Sequence, residues 1–274
     1  MTHSPPSQPF SGDHPQASQL KRGIRLLFLL ILLIAGIVAA LCLLPLCTHV
    51  NRLKLKALWS KGLLKVVGVT VDADLRHVLP GSLLVANHIS WIDIFVINAV
   101  LPAAFVSKEE VRHWPVIGWL AAKNDTIFLR RGSRGHARLI NQEIAKVLEQ
   151  GRHVAVFPEG STSDGCSLLH FHAALIQPAL VAGRPVQPLA LSYWHPDGQR
   201  SLAPRYDGDI SLWECTRSLI SQQTTLARLI SSPALGLNGE DRRVVAAAAR
   251  EAISAGAGLP RVSTAPETAP DLPV

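Results

Sequence analysis

His88 and Asp93 stand five residues apart in Asn87-His88-Ile89-Ser90-Trp91-Ile92-Asp93. The pair supplies a base and an acid able to orient it, the minimum for general-base chemistry on a hydroxyl. Five residues along one helix put two side chains about 140° apart around its axis, where they do not meet. If the two touch, His88 lies in a turn and Asp93 in the helix that follows, with Ser90 as the expected cap. The apolar run Leu83-Leu84-Val85-Ala86 directly before His88 reads as a buried strand that ends at a site. Taken alone, the same residues also suit simple capping chemistry at a strand-to-helix turn.

A second constellation is Phe157-Pro158-Glu159-Gly160-Ser161-Thr162-Ser163-Asp164-Gly165. Pro158 ends a strand, and two glycines permit a tight loop close to a ligand. Glu159, Ser161 and Thr162 crowd that loop with groups suited to hydroxyl or phosphate oxygens; an ordinary strand-exit turn has the same composition. Lys108 follows a third apolar run, and Arg130 and Arg131 follow a fourth. In open α/β sheets ligands bind beyond the carboxyl ends of parallel strands. Parallel strands would therefore gather a base, a carboxylate and two cations at one edge, whereas solvated surface charge is the commoner fate of lysine and arginine.

The elements that must position these groups alternate. Strands are expected at Ser82–Ala86, Ala103–Ser107, Thr126–Leu129, His153–Phe157 and Val186–Ser192. Helical stretches lie between or beyond them at Arg52–Val67, Arg134–Gln150, Leu168–Ala182 and Glu240–Ser254. Such alternation, with strands apolar throughout, predicts an α/β fold: a mixed, mostly parallel central sheet flanked by helices. Residues 1–20 read as a disordered tail rich in Pro, Ser, Gln and His, and residues 256–274 as a second tail. Between them lie a membrane anchor at 21–50 and one domain at 51–255.

Leu26–Cys47 is 22 residues without a charge, about 30 Å as a helix and enough for a hydrocarbon core. It is too long for a signal peptide, follows a hydrophilic leader, and ends without a small-x-small cleavage site. Basic residues flank both ends, so charge bias leaves the orientation open, and Pro45 would allow a bent, monotopic anchor as well as a span. The net charge is +7, from 27 Lys and Arg against 20 Asp and Glu, and aromatic residues are 5%. No zinc spacing or basic recognition helix occurs, so the excess charge suits an anionic lipid surface and not nucleic acid. The four cysteines form no Cys-x-x-Cys, which argues against a disulfide framework or a metal site and fits a reducing setting.

Asn87-His88 with Asp93, the Lys108 block, Phe157-Pro158-Glu159-Gly160 and the strand Val186–Leu191 together resemble the membrane glycerolipid acyltransferases typified by 1-acylglycerol-3-phosphate (lysophosphatidate) acyltransferase. The resemblance spans about residues 50 to 255. It implies that His88 is the general base and Asp93 its orienting acid. Glu159 and Gly160 would hold the glycerol backbone, Arg131 would meet substrate phosphate, and Lys108, Ser161 and Thr162 would lie beside the substrate. It implies no metal and no organic cofactor, with acyl-CoA or acyl-acyl-carrier-protein as donor substrate. Acyl carrier protein is then a partner, and the domain faces the cytoplasm at the inner (cytoplasmic) membrane of a bacterium.

One departure bears on the acceptor. The family pattern often continues Phe-Pro-Glu-Gly-Thr-Arg-Ser, and here the arginine position is Thr162. That removes a guanidinium suited to phosphate. The expected reaction is acyl transfer from a thioester to a lysolipid hydroxyl, with 1-acyl-sn-glycerol-3-phosphate going to phosphatidic acid as the first reading. The alternatives are lyso-ornithine lipid as acceptor, which the continuation after Gly160 resembles, and a membrane-anchored lipid-binding protein without catalysis.

Overall fold

The computed structural model describes residues 15–130 and 134–260, the side chains of 134–137 excepted. Two helices lead. Helix α1 (Gln19–Val38) is capped by Ser18, which accepts the Lys21 N–H, and continues through a π turn and a 3-10 turn to Leu46. Over Gln19–Leu46 its mean hydropathy reaches 3.2 and almost none of it is buried, so it is long and apolar enough to cross a membrane. After Pro45 the chain reverses into α2 (His49–Val67), capped by Thr48 and closed by Gly68 at φ +83°.

The two helices lie side by side. Trp59 of α2 donates to the Leu32 carbonyl (3.0 Å), and its indole sits where Gly36 leaves room for it. At the other end the buried Arg25 donates to the carbonyls of Ile220, Gln222 and Gln223 at 2.6–2.9 Å. Residues 15–18, which the composition assigns to a disordered tail, are drawn into the fold. Ala17 is buried, its N–H bonds the Ser221 carbonyl, and Pro15 accepts from Gln223. At the far end the domain also runs past 255, because Ala257 is buried and Ser254 bonds the Pro260 carbonyl.

Lys56 ties α2 to the domain by donating to the carbonyls of Ala103 (3.1 Å) and Asn124 (2.9 Å). Burial lowers its pKa to about 8, with Asp125 acting upward and Arg152 downward. Between about pH 8 and 10.5 the folded amine is neutral while the unfolded one still binds a proton. Stability therefore climbs with pH across that window, by about 3 kcal/mol at most. A urea midpoint followed over this range should rise in the native chain and lose that rise in Lys56→Met.

The sheet has seven strands: β1 (Val69–Asp74), β2 (Leu83–Ala86), β3 (Ala104–Lys108), β4 (Ile127–Leu129), β5 (Val154–Val156), β6 (Val186–Trp194) and β7 (Thr225–Ser231), in the order β1-β7-β6-β2-β5-β3-β4. The five strands from β6 to β4 are mutually parallel; β7 pairs antiparallel with β6 and carries β1 parallel beside it. The expected mixed, mostly parallel sheet is thus present, enlarged by β1 and β7 beyond the five strands expected. Central β2 is buried on both faces, so its side chains divide between two cores. Leu84 and Ala86 pack with α2, α3 (Asp93–Val100) and α8 (Leu212–Ser221). Leu83 and Val85 pack with α6 (Arg134–Glu149), α7 (Gln177–Val181) and α9 (Arg242–Gly256). Helices α4 (Glu109–Arg112) and α5 (Ile117–Lys123) link β3 to β4.

The expected helix at Leu168–Ala182 is only a 3-10 turn (Ala173–Leu175) and the short α7. Pro178 cannot supply an N–H inside a helix and starts α7 instead. Upstream, the Leu169 and His172 N–H groups are taken by the Glu159 side chain and the Pro158 carbonyl, which holds that stretch against the strand-exit loop.

Candidate active site

β2 and β5 are hydrogen-bonded neighbours, so the turn after Ala86 and the loop after Val156 emerge side by side at the carboxyl edge. Asn87 fixes the first turn: its side chain exchanges two hydrogen bonds with the Leu191 backbone on β6. His88 follows in the turn and Asp93 opens α3, the arrangement its spacing requires. His88 Nδ1 lies 2.9 Å from Asp93 Oδ2.

Asp93 is fully buried and its acceptor positions are filled. Oδ2 also accepts the N–H of Ile89 (2.7 Å) and of Ser90 (2.9 Å), and Oδ1 accepts the Tyr193 hydroxyl (2.6 Å). A carboxylate beside Nδ1 fixes the tautomer with the proton on Nδ1, which leaves the Nε2 lone pair free to accept. Among the described residues Nε2 has no hydrogen-bond partner. The ring stacks on Phe157, centroids 3.9 Å apart and planes 7° apart, so its tilt is set as well as its edge.

Ser90 does not cap α3. Its hydroxyl faces Cys215 Sγ at 3.6 Å, while its carbonyl accepts the Asp93 N–H at 3.2 Å. The Ile89 and Ser90 N–H groups are engaged by Asp93 and are not oxyanion donors.

Glu159 is buried with each oxygen on a backbone amide: Oε1 on His88 N–H and Oε2 on Leu169 N–H, both at 2.8 Å. Burial pushes its carboxyl above the ordinary glutamate range, against the opposing pull of those two amides. Gly160 turns the loop at φ +67°, a conformation that suits glycine. Ser161 is exposed beyond it. The Thr162 hydroxyl is held by the Tyr206 carbonyl, and the Ser163 N–H closes on the His88 carbonyl at 2.8 Å. The fold thus brings His88, Asp93, Glu159, Gly160, Ser161 and Thr162 to one place. Lys108 ends β3, two strands from β2 and so about 10 Å away along the edge; it is exposed. Arg131 lies outside the described residues.

Tyr193 was not among the expected site residues. Burial and the Asp93 charge raise its phenol pKa well above the usual value, so it stays protonated and donates. Its signal was a tyrosine in a largely apolar strand, since a buried tyrosine needs a partner for its hydroxyl.

Residues 69–192 match the Acyltransferase family model. A lyso-ornithine lipid O-acyltransferase of Pseudomonas aeruginosa is 43% identical over 169 residues, which cover 62% of this chain and 65% of the relative. A 1-acyl-sn-glycerol-3-phosphate acyltransferase of Neisseria meningitidis is 38% identical over 60% of this chain and 64% of its own. The chain thus spans slightly less than two thirds of the length of these relatives. The crystal structure of the 1-acyl-sn-glycerophosphate (LPA) acyltransferase PlsC from Thermotoga maritima shares the fold, with a TM-score of 0.55 over 86% of this chain and 96% of that one at 21% identity. The stretch that matches the Acyltransferase family model carries His88, Asp93, Glu159 and Gly160.

Proposed function

We propose that this protein is a membrane-bound O-acyltransferase that moves a fatty acyl group from a thioester to the free hydroxyl of a lysolipid. One observation carries the reading: His88 is held through Nδ1 by a buried carboxylate, with Nε2 unpartnered among the described residues at the carboxyl end of β2. Nε2 takes the acceptor's hydroxyl proton as the oxygen attacks the thioester carbonyl. The C–O bond forms, the tetrahedral centre collapses with loss of the C–S bond, and the imidazolium returns its proton to the leaving thiolate. Asp93 stabilises the imidazolium between those steps. A thiolate leaves readily, so no covalent enzyme intermediate is needed. Glu159 fixes the main chain of the base, while Tyr193 fixes the acid. No metal or organic cofactor enters these steps.

The first acceptor to test is 1-acyl-sn-glycerol-3-phosphate, giving phosphatidic acid, with Lys108 and Arg131 as the cations for its phosphate. Lyso-ornithine lipid is favoured by a specific observation: Thr162 replaces the arginine of the common pattern, and its hydroxyl is turned to the Tyr206 carbonyl. The loop around Glu159 therefore offers a phosphate no cation of its own. Purified full chain assayed against both lysolipids, with acyl-CoA and with acyl-acyl-carrier-protein, separates the readings by thiol release and lipid mass spectrometry. Absence of transfer to any lysolipid with either donor overturns the function.

The anchor supports a bilayer-held site. Because α1 lies along α2, a perpendicular span by α1 would take α2 with its Arg52, Lys54, Lys56, Lys61 and Lys65 into the hydrocarbon, at a high cost. We read the pair as lying in the interface, with the domain on the cytoplasmic side of a bacterial inner membrane, where acyl thioesters are made.

A further prediction concerns Tyr193→Phe. It leaves Asp93 Oδ1 buried without a donor, which should cost about 1–3 kcal/mol of stability. Turnover should fall while KM holds, because the acid loses its fixed orientation. Unchanged turnover would assign the phenol to packing alone.

A further inference from the structure

Between β3 and β4 the chain projects Trp114, Pro115, Val116 and Ile117. The three large side chains are each more than 40% exposed. Val116 sits at φ +62°, a left-handed conformation that strains a β-branched residue. The turn is nonetheless rigidly built. The Ile117 N–H bonds the Pro115 carbonyl (2.6 Å) and the Gly118 N–H the Trp114 carbonyl (2.9 Å). Gly118 is packed so closely on α4 that a Cβ there would stand 2.2 Å from the Arg112 carbonyl oxygen. A strained, stiff turn that offers tryptophan, valine and isoleucine to solvent gains nothing in a water-facing loop.

Its place in the fold supplies the reason. Helix α5 starts at this tip and, about 10 Å further on, ends at Asn124, whose carbonyl accepts the Lys56 ammonium of α2. Helix α2 in turn carries α1 through Trp59 and Leu32. Helix α5 thus links the tip to the hairpin that exposes Leu27, Phe28, Leu30, Ile31 and Ile34. The charges agree. With the Glu109–Arg112 and Asp125–Arg152 pairs set aside, Lys108, Lys123 and Arg130 in this segment face Glu110 alone.

We propose that the 114–117 tip is a second membrane contact, an aromatic and aliphatic wedge that enters an anionic lipid surface beside the α1–α2 hairpin. The proposal rests on the membrane-held reading of the site and goes further by naming where the domain itself meets lipid. Two separate contacts would fix the tilt of the domain, so that a lysolipid hydroxyl reaches His88 without leaving the interface. A single helical hairpin leaves that tilt free.

The test uses the full chain labelled with 5-fluorotryptophan in phosphatidylethanolamine–phosphatidylglycerol vesicles. The Trp114 resonance, assigned by its loss in Trp114→Phe, should broaden with a nitroxide carried on the lipid chain and resist a water-soluble one. The reverse pattern overturns the proposal, whether or not the chain transfers acyl groups. Trp114→Glu combined with Ile117→Glu should lower transfer to a vesicle-held lysolipid about tenfold, as a higher apparent KM, and leave a monomeric short-chain acceptor unaffected. Equal loss on both acceptors, or loss only with acyl-acyl-carrier-protein as donor, overturns it; the second outcome would make the tip a protein-docking face.

Discussion

His88→Ala should fold, reach the membrane and lose acyl transfer by about 10²–10⁴-fold or more, the usual cost of removing a positioned base. The fold should survive because the backbone of residue 88 does the structural work: its N–H is held by Glu159 and its carbonyl by Ser163. Only the Asp93 contact and the stack on Phe157 go with the ring. The loss should fall on turnover and leave KM near its native value, because the imidazole acts on a proton in flight and not on the resting lipid. Steady-state rates with matched thermal melts check this, and added imidazole should restore part of the rate through the vacated space. A variant with native turnover would end the general-base assignment.

Asp93→Asn should lower turnover by up to about 10⁴-fold, the scale of the same change in a serine-protease triad, but by a distinct route. Three donors meet Oδ2: the ring N–H and the amides of Ile89 and Ser90. An asparagine must turn its oxygen to that side, because its NH2 there would face two amide hydrogens. The NH2 then meets Tyr193, whose hydroxyl can rotate to accept. The histidine keeps its tautomer, and what disappears is the charge that stabilises the imidazolium. Asp93→Asn should therefore melt close to the native chain, whereas Asp93→Ala, which strips four buried donors of their acceptor, should lose several kcal/mol. Retention of a tenth or more of native turnover by the asparagine variant would rule out an electrostatic role for the acid.

The parallel core of this fold is legible in the sequence because β2, β5 and β6 are buried on both faces, so that β2 and β5 are unbroken apolar runs and β6 is one interrupted by Gln187 and Ser192. The spacing of His88 and Asp93 reads correctly for the same kind of reason: helix geometry admits only one way for them to touch. β7 alternates between buried and more exposed positions and β1 buries only Val69, patterns easily absorbed into neighbouring loops. The loss of helix at 168–176 is a tertiary effect, since it depends on Glu159 reaching Leu169 ten residues along. The role of Tyr193 depends on β6 lying beside β2, a contact 100 residues distant in sequence from Asp93. Ser90 suits a cap by residue type, but its carbonyl meets the Asp93 N–H and its hydroxyl turns inward to Cys215, a contact 125 residues distant in sequence.

The main chain of His88 is gripped from both sides by the loop proposed to meet the acceptor, through Glu159 on its nitrogen and Ser163 on its oxygen. On the proposed function, acceptor choice and proton transfer are in consequence mechanically inseparable in this scaffold. A lineage adapting to a new headgroup could vary outward-facing Ser161 at little risk, but remodelling the buried residues on either side of it would drag the imidazole out of line. Changes of diet should then accumulate first at the rim of the loop, and attempts to graft the whole loop from another enzyme should yield proteins that bind a new lipid and turn it over slowly.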